Sequence, residues 1–117
     1  MIEGLWTGEL NFNVSNVQYG HAVFVCNNGK IFGGNSKFFF AGTYSMDGEH
    51  IKGQYKITHY AGDPLTPMGL IEAHGTQHYR FKGKIAGSHM ELKGILIEDD
   101  HIRFKGVLQK QLGQDIF

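Results

Sequence analysis

With 117 residues, 41% hydrophobic and 19% charged, the chain has the length of one ordinary domain and none of the low-hydrophobicity, high-charge character of disordered segments. Eleven basic residues balance eleven acidic ones, so no overall field favours a phosphate backbone or an anionic membrane. The single cysteine, Cys26, excludes an intrachain disulfide.

One domain over 1–117 is therefore expected. The basic residues Lys52, Lys56, Lys82, Lys84, Lys93 and Lys105 stand singly, with no run of four or more, and read as a solvated outer surface. Neither nucleic acid nor membrane is expected as a direct partner. Residues 1–6 lack a basic stretch followed by an apolar one, and no apolar stretch reaches eighteen residues, which predicts a cytoplasmic protein.

Alternation of apolar and polar residues dominates, the period of a half-buried strand. Over 2–12, Ile2, Gly4, Trp6, Gly8, Leu10 and Phe12 share one face, and Glu3, Thr7, Glu9 and Asn11 the other. Residues 13–16 make a polar turn, and a second strand over 18–27 ends at Asn28-Gly29, a pair that tolerates positive φ and signals a tight hairpin. Cys26 lies in Ala22-Val23-Phe24-Val25-Cys26 and reads as a buried structural thiol. A short strand over 30–32 closes at Gly33-Gly34-Asn35, and a fourth covers 37–44. Asp47-Gly48 turns the chain into a fifth strand over 50–60.

Both prolines, Pro64 and Pro67, break the sheet in a loop over 61–67, because proline has no N–H to give to a ladder. Beyond it, 69–85 reads as one long strand or as two joined near Gly75. Strands over 90–98 and 101–110 follow, with turns at Gly87-Ser88 and Asp99-Asp100. The whole is all-β: a single antiparallel, up-and-down, roughly eight-stranded barrel.

An internal echo supports repeated hairpins. Phe40-x-Gly42 with Ile51-Lys52-Gly53 reappears as Phe81-x-Gly83 with Leu92-Lys93-Gly94, and Phe104-x-Gly106 begins a third copy. Seven glycines (4, 8, 42, 53, 83, 94 and 106) fall inside strands, where each costs about 0.5–1 kcal/mol relative to alanine. Two explanations stand. They relieve crowding in a coiled barrel wall, or they leave interior volume for an apolar ligand. The ring-bearing residues expected inside, and available to such a ligand, are Trp6, Phe12, Phe40, Tyr44, Tyr55, Phe81 and Phe104.

Signals for catalysis or metal are weak. His74 and His78 stand roughly 13 Å apart if both lie on one strand. Glu72 and His74 share a face without a second close pair, so no metal and no cofactor is expected. No nucleophile elbow, Walker or dinucleotide pattern occurs, and the glycines over 29–34 precede no helix that would cradle phosphate. The adjacent Asp99 and Asp100 are poorly placed for paired acid and base work. An enzyme is not expected; it would require His21, His59 and Glu72 to converge. In Phe38-Phe39-Phe40 the middle ring points away from its neighbours, so Phe39 is either an outer contact site, suited to a homodimer, or covered by another segment.

The opening Gly4-Leu5-Trp6, the glycine-containing second strand, the hairpin from Asn28 to Asn35 and the aromatic-Gly-x-Tyr of Phe40 to Tyr44 resemble the GrlR family of small bacterial regulators, over roughly the first seventy residues. The resemblance implies a lipocalin-like barrel that dimerises, has an apolar interior and acts without catalysis. It also implies direct binding of a protein partner, in the family's named member a transcription activator of a type III secretion regulon. That member uses an acidic run in the turn after the aromatic strand. Here the turn is Met46-Asp47-Gly48-Glu49, with two acidic positions of four. A different partner is therefore expected, with Asp47 and Glu49 either its contacts or, the reading the Asp-Gly pair favours, plain turn residues. The second expectation for function is an intracellular carrier or sensor of a small apolar ligand.

Overall fold

The computed structural model describes residues 2–13, 18–62, 75–113 and 115. It is a closed barrel of eight antiparallel strands in chain order: β1 (Gly4–Phe12), β2 (Gln18–Asn27), β3 (Lys30–Gly34), β4 (Phe38–Asp47), β5 (His50–His59), β6 (Thr76–Ala86), β7 (His89–Leu96) and β8 (Asp99–Leu112). Pairing of β8 back onto β1, from Leu5 opposite Leu112 to Phe12 opposite Phe104, shuts the sheet and leaves no open edge. The up-and-down barrel expected from alternation is thus the fold. No helix among the described residues is long and apolar enough to cross a membrane.

The turns follow the residues that permit them. Asn28 and Gly29 both take positive φ, 52° and 81°, as a two-residue hairpin of this hand requires. At the next hairpin Asp47 and His50 are paired, so Gly48 and Glu49 form the loop and only Gly48 has positive φ. Asp47-Gly48 was expected at the centre. Instead Asp47 ends the strand, because this turn type needs glycine in its first central position. Gly87-Ser88 repeats the pattern between the paired Ala86 and His89.

The last turn lies at Ile97-Glu98 rather than at Asp99-Asp100, and β7 stops at Leu96 rather than at 98. Side chains set this boundary. The Glu98 carboxylate accepts the His78 N–H at 3.0 and 3.1 Å, and Asp99 Oδ1 accepts the His101 N–H at 3.1 Å, so β8 already begins at Asp99. Similarly, Asn35 Oδ1 accepts the N–H groups of Lys37 and Phe38, both at 2.9 Å, and so delays β4 to Phe38. The span over 69–85 contains one described strand, β6, which starts at Thr76 just after Gly75; the loop with both prolines lies outside the described residues.

Inside, register explains the echo. Gly53 lies opposite Phe81, Phe81 opposite Gly94 and Gly94 opposite Phe104. One layer away, Ile51, Gly83, Leu92, Gly106 and Leu10 are successive partners. Small and large residues alternate along these two layers, so Phe81 and Phe104 lie beside positions with no side chain, as a small eight-stranded barrel needs.

Candidate functional site

The interior is filled by the protein's own side chains. Trp6, Phe40, Tyr55, Phe81 and Phe104 are all at most 6% exposed, Tyr44 is 9% exposed, and Phe12 packs partly buried against them. Tyr55 stacks on Tyr79 at 5.3 Å between centroids and meets Phe40, Phe81 and Phe104 edge-on or tilted, while Phe12 joins Phe104 at 5.6 Å. A Cβ built on Gly53 would lie 2.9 Å from Phe81 Cζ, and one on Gly83 would lie 2.7 Å from Leu92 Cδ2. The volume those glycines release is therefore taken up by neighbouring side chains. Six of the seven ring residues expected inside lie in one hydrophobic core, and the seventh, Phe12, packs against it.

Among the described residues, the candidate polar groups stand apart from one another. His21 is on the outside, 3.0 Å from Glu9, whereas His59 is buried, set edge-on to Phe38 with Nε2 3.0 Å from the Gly62 carbonyl. Glu72 and His74 lie outside the described residues. His78 pairs with Glu98 at 3.2 Å, and Asp99, Asp100 and His101 cluster on the exposed β7–β8 corner. Cys26 is 1% exposed, and burial together with the nearby Glu3 pushes its thiol up to about 12. It is a neutral core group at ordinary pH, not a nucleophile. Burial and the hydrogen bond from Tyr44 Oη to Glu3 Oε2, 3.1 Å, likewise raise the Tyr44 phenol to about 12.

The outer surface is where the molecule is unusual, and it has two faces. On β1–β4, Leu112, Leu5, Val25, Phe32 and Ala41 are successive register partners in one outward row. The next row, Thr7, Val23, Gly34, Phe39 and Thr58, is also uncharged. Phe32, Phe39 and Val23 are 46%, 43% and 42% exposed, and the Phe39 ring leans on Tyr60. Phe39 is thus on the outside and exposed rather than covered.

On β5–β8 the outward row is cationic. Lys52 is opposite Lys82, Lys82 opposite Lys93 and Lys93 opposite Lys105, and all four are exposed. One layer below, Gln54, Arg80, Ile95 and Arg103 are partners. Lysines that stand singly along the chain are thus gathered by register into a patch, and the picture of dispersed basic residues does not survive folding. The signal was present in the sequence as four triplets, Ile51-Lys52-Gly53, Phe81-Lys82-Gly83, Leu92-Lys93-Gly94 and Phe104-Lys105-Gly106. Each places an apolar residue and a glycine inward and a lysine outward. The glycines stand out as breaks in the strand pattern, whereas the lysines look like ordinary surface residues until the strands pair.

Asp47 and Glu49 are both exposed at the β4–β5 hairpin, and Glu49 pairs with Lys84 at 3.6 Å. They lie off the Phe39 surface, so the expected contact residues belong to separate places on the barrel. Neither a protein-family model nor a curated protein matches the chain.

Proposed function

We propose that the chain is a non-enzymatic regulatory protein that acts by binding a protein partner on the outside of its barrel, in the manner of the GrlR-like regulators it resembles, and that it does so as a homodimer. The observation that carries this reading is the contrast between a closed, ring-filled interior and an outer row from Leu112 to Ala41 that stays apolar and open to solvent. An uncharged patch of this kind on a folded domain marks an association surface. Two copies meeting through it about a two-fold axis would match like with like. A carrier of an apolar ligand has less support, because the glycine positions that suggested a cavity are occupied by Phe81, Leu92 and their neighbours.

Cross-linking of the tagged protein at native expression in its host tests the reading. A single protein recovered in near-equal amount, with light scattering giving twice the chain mass for the purified protein, is the expected result. A monomer that yields no cross-linked protein but releases a lipid or other small apolar molecule on denaturation would replace regulation with carriage.

A further inference from the structure

All lysines and arginines except Lys30 and Lys37 lie on β5–β8, and the lysine row is their centre. Strands are about 4.8 Å apart, so the row runs roughly 14 Å across the barrel with like charges directly opposite at each step. That arrangement costs stability, and none of Lys52, Lys82, Lys93 and Lys105 has a carboxylate within ion-pair distance among the described residues. Two shallow hollows flank the row and share Lys82, Lys93 and Lys105. The first, of ≈ 770 Å³, is ringed by those lysines with Arg80, Arg103 and Ile95 and has no acidic residue in its wall.

We propose that this face is the docking surface for an acidic segment of the protein partner. Carboxylates would lie along the lysine row, and an apolar side chain would sit on Ile95 between Arg80 and Arg103. The inference rests on the reading that the protein works by binding another protein. Three features select an acidic peptide over other anions. Carboxylates bracket the patch at both ends of the barrel, with Glu49 and Glu91, which lines the second hollow, on one side and Glu98, Asp99 and Asp100 on the other, which would repel a broad anionic surface such as a duplex or a membrane but not a single narrow chain. No phenylalanine, tyrosine or tryptophan side chain is exposed on the described part of β5–β8 to stack bases. Ile95 in the middle of the cationic rows suits a mixed acidic and apolar segment better than a polyphosphate.

The test uses a fluorescein-labelled peptide of alternating glutamate and leucine, followed by anisotropy against the intact protein at low and at physiological salt. Binding that weakens with salt, and that falls at least tenfold when Lys82→Gln, Lys93→Gln and Lys105→Gln are combined, is expected. The double variant Lys30→Gln with Lys37→Gln should bind as the wild type does. The triple variant should keep its circular dichroism and melt about 2–5 °C higher, because the repulsion is gone.

A single-stranded oligonucleotide or an anionic phospholipid vesicle that binds more tightly than the peptide overturns the choice of partner. Equal binding by the triple variant overturns the site, and loss of the dimer in the triple variant would give the face to a second copy instead. If the peptide fails to bind while a host protein is still cross-linked, this proposal falls and the regulatory reading stands. If the peptide binds but no host protein is captured, the reading beneath it is what fails.

Discussion

The two outer faces are built on the same barrel wall yet carry opposite chemistry. Across β1–β4 the outward positions include the apolar Leu5, Val23, Val25, Phe32 and Phe39, and across β5–β8 they include Lys52, Lys82, Lys93 and Lys105. The interior sets glycine against a large side chain beneath both faces, Gly33 against Phe24 on one and Gly83 against Leu92 on the other, so this packing does not explain the difference outside. Register does the sorting. A triplet of apolar residue, lysine and glycine, placed once on each of four neighbouring strands at matching depth, builds a cationic row and an interlocked core together. A one-residue slip on any of these strands would exchange the two sets.

The comparison breaks most completely if the shared interior is removed. Tyr55 touches four rings that lie under both faces, and Tyr55→Ala should cost about 3–5 kcal/mol. Urea unfolding would show this, with both binding activities lost in step with the folded fraction.

Alkaline pH probes two buried groups, Cys26 on β2 and Tyr44 on β4, and replacing Cys26 isolates the first. The Cys26 thiol is raised from 9.0 to about 12 in the folded protein, so the neutral thiol stabilises the fold fully below pH 9, and that contribution is lost as the pH climbs toward 12. Wild type should therefore lose stability more steeply than Cys26→Ala between pH 9 and 11. The folded thiol should also resist alkylation at pH 8, when measured by mass after iodoacetamide.

A smaller effect separates the faces. Phe32→Glu puts a charge in the apolar row while its own ring is already 46% exposed, so monomer stability should change little. Dimer dissociation should strengthen at least about tenfold, which is about 1.4 kcal/mol, by sedimentation at several concentrations. The least change is expected from Lys93→Gln, which removes one member of the row and with it both of its like-charge pairings, to Lys82 and to Lys105. Its melting temperature should rise by about 1–2 °C, and by less in high salt.

Much of this fold is legible without coordinates. Strict alternation places Trp6, Tyr55 and Phe104 inside, and Asn28-Gly29 fixes a hairpin because both residues accept positive φ. Local chemistry at a distance is less legible. The β7–β8 turn sits two residues earlier than Asp99-Asp100 suggests, because Glu98 is held by the backbone of His78 on β6, a contact no local pattern announces. The candidate surface was hidden for the same reason. Lys52 and Lys105 are far apart in the chain, and only pairing through Lys82 and Lys93 makes them one row.

Amide chemical-shift mapping of the ¹⁵N-labelled protein with the glutamate–leucine peptide tests the central claim most directly, since it reads every strand at once. Perturbations confined to β6–β8 around Lys82, Lys93, Ile95 and Lys105, with Val25, Phe32 and Phe39 responding to protein concentration instead, are the predicted result. Shifts centred on Val25, Phe32 and Phe39, or on the interior around Tyr55 and Phe104, would contradict the division of the barrel into two working faces.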